Sequence, residues 1–294
     1  MGIERETLIV ITGATASGKS SLAVDIALLL KRAEIISADS RQIYREMDIG
    51  TGKITEEEKK NIPHHLLDIR NPEESFTVAE YKELAEEKIK EIKERGNTPI
   101  LCGGTGFYIK AVVDGVVIPQ VAPDEKLRKE LEKKTKEGLF LMLLKIDKRR
   151  AESIEGKNKR KLIRALEIVK TTGEPVPEIK KFPSYPATVL CLHLPNEVLE
   201  KKIRRRVDYM IENNLEEEVK NIFKKNISLA RESIGYAEWE EYFNKKISIE
   251  EVKERISINT MKYAKAQKKW FKKENYINVK NKKEAIAKLP NQLF

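Results

Sequence analysis

Gly13-Ala14-Thr15-Ala16-Ser17-Gly18-Lys19-Ser20 has the spacing G-x-x-x-x-G-K-[ST] and directly follows the apolar run Leu8-Ile9-Val10-Ile11. A strand that opens through such a turn into a helix surrounds a phosphate chain with inward-pointing backbone N–H groups and the positive end of the helix dipole. Lys19 would neutralise phosphate charge and Ser20 would offer an oxygen to Mg²⁺. All eight residues are therefore candidate phosphate contacts, Lys19 is also a candidate catalytic group, and Ser20 is the candidate metal ligand. A second short apolar run, Glu34-Ile35-Ile36-Ser37-Ala38, delivers Asp39 and Ser40 to its end. An acid placed there faces an acceptor, where it is better suited to taking a proton than to holding metal.

These residues need a scaffold that brings strand ends together. The run after the turn (Leu22, Ala23, Ile26, Ala27, Leu30) has helical spacing, and His64 to Ile69 is expected to be a third short strand. Thr77 and Glu80 have capping-box spacing at the start of a helix reaching about Arg95. Pro99-Ile100-Leu101-Cys102 then reads as a buried strand ending in Gly103-Gly104-Thr105-Gly106. Alternation of this kind predicts an α/β fold, a P-loop parallel sheet flanked by helices.

The regularity breaks after Val117, where prolines precede a charged helical stretch to about Gly138. An amphipathic helix follows from Asn158, with Leu162, Ala165, Leu166 and Val169 on one face and Gly173 at its end. Thr188 to Leu192 resumes the sheet. The expected organisation is a first part of the core over 1–119, an inserted helical subdomain over 120–185, and a second, mostly helical part of the core over 186–294. Helices are expected over about 196–225, 235–243 and 248–273.

Charge separates the halves of this 294-residue chain. Residues 1–120 carry a net −4 and residues 121–294 a net +14. A small phosphorylated metabolite needs no basic surface this large, so the excess, with the cluster Arg204-Arg205-Arg206, points to nucleic acid. Cys102 and Cys191 lie in apolar runs and read as buried thiols, not a disulfide or metal pair. The charged residues 1–7 and the absence of a long apolar run predict a cytoplasmic protein with no signal peptide and no membrane span.

Six ordered blocks carry a more specific resemblance. They are Ala38-Asp39-Ser40-Arg41-Gln42-Ile43-Tyr44 continuing to Asp48-Ile49-Gly50-Thr51-Gly52-Lys53, His64-His65-Leu66-Leu67-Asp68, Gly103-Gly104-Thr105-Gly106-Phe107-Tyr108, Arg164-Ala165-Leu166-Glu167, Ile234-Gly235-Tyr236, and Tyr263-Ala264-Lys265 with Gln267 and Trp270-Phe271. In these the chain resembles the tRNA dimethylallyltransferase (isopentenyltransferase) family. The resemblance implies that the loop, of a type more often devoted to ATP, holds the diphosphate of dimethylallyl diphosphate with Mg²⁺. It implies transfer of the dimethylallyl group to N6 of adenosine 37 in tRNA, releasing diphosphate. Asp39 would accept the N6 proton, Thr105 would support the site, and Asp39, Ser40, Arg41 and Gln42 would contact the target base. Arg160, Lys161 and Arg164 would meet tRNA, the insertion gripping the anticodon stem-loop. A monomer with no obligate protein partner is the expectation.

Departures from the family pattern are Ala266 in place of an arginine, Met261-Lys262 in place of an arginine pair, and Asn213-Asn214 in a turn that usually contains glycine. They bear on C-terminal tRNA contacts. Lack of a Cys/His finger extension makes the chain similar to the bacterial form. Three competing readings remain. An adenylate isopentenyltransferase acting on free AMP, ADP or ATP would share loop and base but leave the basic half unexplained. A small-molecule kinase would need a metal-organising acid after the Pro99–Cys102 strand, which ends instead in glycines. A noncatalytic RNA-binding protein would leave Lys19 and Asp39 without purpose. His64, His65, Trp239, Trp270 and Phe271 read first as structural groups, whereas Phe107 and Tyr108 suit either packing or walling an allyl chain.

Overall fold

The computed structural model describes residues 7–119, 121–154, 158–178, 180–183 and 185–293; residues 1–6, part of the charged opening stretch, lie outside the described residues. Strand β1 (Leu8–Gly13) leads into α1 (Lys19–Leu30), β2 (Ala33–Ser37), the single turn α2 (Glu56–Lys59), β3 (His64–His65), α3 (Val78–Glu94), β4 (Thr98–Gly103) and α4 (Gly106–Val113). Helices α5 (Glu125–Glu132), α6 (Lys136–Ile146), α7 (Lys148–Ser153) and α8 (Lys159–Thr172) follow. The chain then forms β5 (Ala187–Leu192), α9 (Asn196–Glu212), α10 (Leu215–Lys224), α11 (Ser228–Arg231), α12 (Glu240–Phe243), α13 (Ile249–Phe271), β6 (Ile277–Val279) and α14 (Lys282–Ala287). Two compact units result, Met1–Gly115 with Pro183–Phe294, and Val116–Phe182.

In the first unit the six strands form one parallel sheet in the order β3-β2-β4-β1-β5-β6, the α/β architecture expected from the alternation of elements. Every residue of β1, β2 and β4 is buried, as in a parallel sheet covered on both faces. Successive side chains alternate between faces. Leu8, Val10, Ile36 and Leu101 pack against Tyr81, Ala85 and Ile89 of α3, while Ile9, Ile11, Ile35 and Ile100 pack against Leu22, Ala23 and Ile26 of α1. A further core joins α9, α10 and α13 around Trp239, whose Nε1 donates to the Gly235 carbonyl at 3.0 Å. Trp239 is thus a packing group.

The second unit has its own core of Leu131, Leu139, Leu143, Leu162 and Leu166. Fully buried Glu167 accepts from the Asp124 amide at 2.7 Å, from Arg128 Nε at 2.8 Å and from Arg164. A carboxylate so deeply buried needs these cationic partners to offset its lost hydration.

Several local expectations change. The helix expected over 196–225 breaks at Asn213-Asn214, where Asn214 adopts φ 68°, a conformation asparagine tolerates in place of glycine. The stretch expected to end near Gly138 breaks earlier, because the Thr135 hydroxyl accepts from the Gly138 amide and starts α6. The third strand stops after His65, since Leu66 and Asp68 take positive φ. Strand β6 and helix α14 come from a segment that shows little apolar periodicity. Thr77 and Glu80 do form the capping box of α3. Both cysteines are free and buried, and burial pushes each thiol up to about 11. No helix among the described residues is long and apolar enough to cross a membrane.

One buried cluster ties the sheet edge to α3. Glu34 accepts from Arg95 Nη2 at 2.8 Å, from Asn97 at 2.7 Å, and meets His65 Nε2 at 2.6 Å. Burial alone would raise its pKa, but the hydrogen bonds from Arg95, Asn97 and His65 outweigh that and hold the carboxyl at about 2. A depressed carboxyl stabilises the fold above its unfolded value, and the benefit disappears as pH falls through the folded value. We therefore expect Glu34→Gln to cost on the order of 3 kcal/mol at pH 7. The gap in thermal midpoint between the two proteins should narrow as pH falls from about 4.5 to about 2.

Candidate active site

Strand order decides which loops meet. Because β4 lies between β2 and β1, the turns after all three emerge side by side at the carboxyl edge, where parallel sheets bind ligands. The turn after β1 is Gly13–Ser20. Gly13 has φ 150°, and a Cβ there would stand 2.6 Å from the Leu192 carbonyl oxygen, so no other residue fits. Gly18 caps α1 at φ 95° without a side-chain cap, leaving the first amides of α1 to an external acceptor. Ser17 Oγ is buried without a hydrogen-bond partner among the described residues, and desolvation lowers the Lys19 pKa against the opposing pull of Asp39. Orphaned donors around a desolvated cation suit an anion.

The turns after β2 and β4 interlock. Thr12 Oγ1 donates to the Gly103 carbonyl at 2.9 Å, the Thr105 amide donates to the Ala38 carbonyl at 3.1 Å, and the Ser40 amide donates to Thr105 Oγ1 at 3.0 Å. A Cβ on Gly103 would lie 2.1 Å from the Ala38 oxygen, so only glycine permits this approach. Asp39 Oδ1 accepts from the Arg41 and Gln42 amides at 2.9 and 3.4 Å. Among the described residues no hydrogen bond reaches its other oxygen. Gln42 Nε2 donates to the Gly52 carbonyl at 3.1 Å. Lys19, Thr105 and Asp39 thus sit on adjacent strand ends.

Three residues join this site that the sequence did not single out for it. Arg206 donates to Thr15 Oγ1 at 3.1 Å and to the Thr51 carbonyl at 2.7 Å. Desolvation lowers its pKa while Asp39 and Glu58 oppose the shift. It lines a cleft of about 720 Å³ with Lys19, Ser20, Lys202, Glu58 and Tyr209. The second is Gln267, a buried residue of α13 that binds both Thr15 and Gly104. The third is Tyr263, one turn earlier, which leaves 41% of its surface exposed. Even so, desolvation around its hydroxyl and then the Asp39 charge push its phenol up to about 12. The cluster Arg204-Arg205-Arg206 does not act as one basic patch. Successive helical residues point about 100° apart, so Arg206 enters the cleft while Arg204 pairs with Glu200 and Glu254.

Comparison with known proteins identifies the relatives. An IPP transferase model matches residues 42–274. The chain belongs to the IPP transferase family. It is 42% identical to a tRNA dimethylallyltransferase of Caldanaerobacter subterraneus over 284 residues, covering 92% of this chain and 90% of the relative. A full-length tRNA isopentenylpyrophosphate transferase from Bacillus halodurans has a solved structure that is 40% identical, with a TM-score of 0.70 and coverage of 94% of this chain and 90% of that one. A eukaryotic dimethylallyltransferase acting on tRNA gives a TM-score of 0.80 at 26% identity, covering 94% of this chain and 74% of that chain.

The motifs that resemble this family have distinct jobs in the structure. Glu218 of α10 accepts from the Asp48, Ile49 and Gly50 amides at 3.1, 2.8 and 3.0 Å and from Tyr236 Oη at 2.6 Å, so two blocks far apart in sequence form one support. That support presents the Thr51 carbonyl to Arg206. His65 belongs to the Glu34 cluster and His64 Nδ1 meets the Ile62 carbonyl at 2.8 Å, both structural roles. Tyr108 stacks on Tyr81 at 3.9 Å and is 7% exposed, whereas Phe107 is 40% exposed. Phe271 is a core residue and Trp270 packs against Gly106. Arg160 and Lys161 lie on the exposed face at the start of α8, and Arg164 is half-buried against Glu167 and the Val121 carbonyl, all within the second unit. Among the described residues no group of three or more His, Cys, Asp or Glu side chains converges on a metal site. Replacing Arg206 with Ala removes a charged donor from the Gly13–Ser20 turn, so binding of inorganic diphosphate, measured by calorimetry, should weaken about 10-fold or more.

Proposed function

We propose that this enzyme transfers a dimethylallyl group from dimethylallyl diphosphate to N6 of the adenine at position 37 of tRNA. The observation that carries the reading is the meeting of a phosphate-type turn and an unspent carboxylate oxygen on neighbouring strand ends, in a member of the IPP transferase family. Within the Gly13–Ser20 turn, the amides of Ala16 and of Gly18 to Ser20, the Ser17 hydroxyl and the ammonium of Lys19 hold the diphosphate, the Thr15 and Ser17 amides being bonded to Gln267 and to the Ala14 carbonyl. Arg206 adds a second cation on the same side. As the bond from C1 to the diphosphate oxygen breaks, these fixed donors stabilise the charge that grows on the leaving group.

Adenine N6 is a weak nucleophile because its lone pair is delocalised into the ring. Asp39 takes the N6 proton as the new C–N bond forms. Its turn bonds to Arg41 and Gln42 hold the carboxylate in one orientation. Thr105 braces this turn through the Ser40 amide, and Ser40, Arg41 and Gln42 border the entering base. An adenine in a stacked anticodon loop must turn outward to reach such a pocket. Arg160, Lys161 and Arg164 supply cationic contacts to the tRNA backbone from the second unit, with Arg164 also serving Glu167.

Mg²⁺ fits the donor set. Ser20 Oγ at the start of α1 would be the chain's hard-oxygen ligand, and magnesium commonly takes its other ligands from phosphate and water. When bound, it neutralises diphosphate charge.

The deciding experiment is incubation with labelled dimethylallyl diphosphate, Mg²⁺ and either tRNA or AMP. Label should appear on tRNA; label on AMP alone would overturn the reading. In the same assay Asp39→Ala should lower kcat by ~100-fold or more. Its affinity for tRNA, measured by filter binding, should stay within about 3-fold of the unaltered protein, because a base acts mainly in the transition state.

A further inference from the structure

Among the described residues, Gln267 is the one side chain that bonds both the turn after β1 and the turn after β4. Its Oε1 accepts from the Thr15 amide at 2.8 Å and its Nε2 donates to the Gly104 carbonyl at 2.8 Å. It is 6% exposed and comes from α13, 163 residues beyond Gly104 and 252 beyond Thr15. The fit is close, since a Cβ on Gly104 would fall 2.5 Å from Nε2 and 3.5 Å from Lys19 Nζ. One partner lies in the turn assigned to the donor diphosphate. The other immediately precedes Thr105, whose hydroxyl holds the Asp39–Gln42 turn through the Ser40 amide.

We propose that Gln267 is a positioning residue that sets the spacing between the donor turn and the acceptor turn, and so the approach of adenine N6 to C1 of the allyl group. It touches neither substrate. Because Gln267 takes the Thr15 amide and the Ala14 carbonyl takes the Ser17 amide, the diphosphate is left the amides of Ala16 and of Gly18 to Ser20, which places the anion nearer α1 and Lys19. An amide is suited to this role because it must accept at one end and donate at the other. A carboxylate would face the Gly104 carbonyl with an oxygen, and a thioether would satisfy neither partner. Alignment acts after both substrates are bound, so its loss should appear in kcat and not in KM.

This inference rests on the dimethylallyl transfer proposed above. The test compares steady-state kinetics of the unaltered enzyme, Gln267→Met, Gln267→Glu and Gly104→Ala with tRNA and dimethylallyl diphosphate, alongside thermal melting. All three variants should lose about 10- to 100-fold in kcat with KM for each substrate within about 3-fold. Gly104→Ala displaces the same amide from the opposite side, so the double variant with Gln267→Met should be no slower than the slower single one. If Gln267→Met fails to fold, Gly104→Ala decides alone. Variants as fast as an active unaltered enzyme, or a loss confined to KM for the donor, would overturn the inference. An unaltered enzyme that labels no tRNA would instead overturn the function on which it rests.

Discussion

The close approach of three backbone turns at one edge of the sheet is the constraint on which this molecule depends. Strand β4 separates β1 from β2, so the Gly103-Gly104 turn must fit between the phosphate-type loop and the Asp39 turn. With any side chain at Gly103 the Ala38 carbonyl would be displaced, and with it the amide bonds that hold Ser40 and Asp39. The geometry is therefore carried mostly by backbone groups. Side chains enter only where a charge or a hydroxyl is needed.

Electrostatically the site is built ahead of its ligand. Lys19 and Arg206 are both desolvated enough to lower their pKa values, with the Asp39 charge opposing each shift. Holding two cations away from water costs free energy that one carboxylate does not restore, and a polyanion would offset the remainder. The same arrangement favours a leaving group whose negative charge grows during reaction, because donors already fixed in place need not reorganise. Glu218, Tyr236 and Gln267 lie at the rear of this arrangement, and each holds backbone that presents a functional group.

Local signals were legible where the chemistry is local. The strand, turn and helix around Gly13–Ser20, the buried runs of β1, β2 and β4, and the Thr77–Glu80 box all report interactions within a few residues, and the fold has each of these elements. Arg206 was read with its two neighbours as a nucleic-acid patch, because composition cannot tell which face of α9 each arginine occupies. The long helix read over 196–225 failed at Asn214 because an asparagine in the left-handed conformation substitutes for the glycine that would have marked the turn. Strand β6 escaped notice because three residues at a sheet edge need little hydrophobic alternation.

Sequence alone determined the parallel α/β class and Lys19 and Asp39 as candidate chemical groups, which depend on residue types at short, fixed separations, while the ordered blocks along the chain determined the family and, through that resemblance, Thr105 as a candidate. Tertiary structure decided which distant residues complete the site. The pairing of Thr15 with Gln267, of Thr51 with Arg206, and of Gly50 with Glu218 spans more than 150 positions in each case. Such pairings arise from strand order and helix packing, and a helix face or a loop approach leaves no periodic trace in the residues that make it.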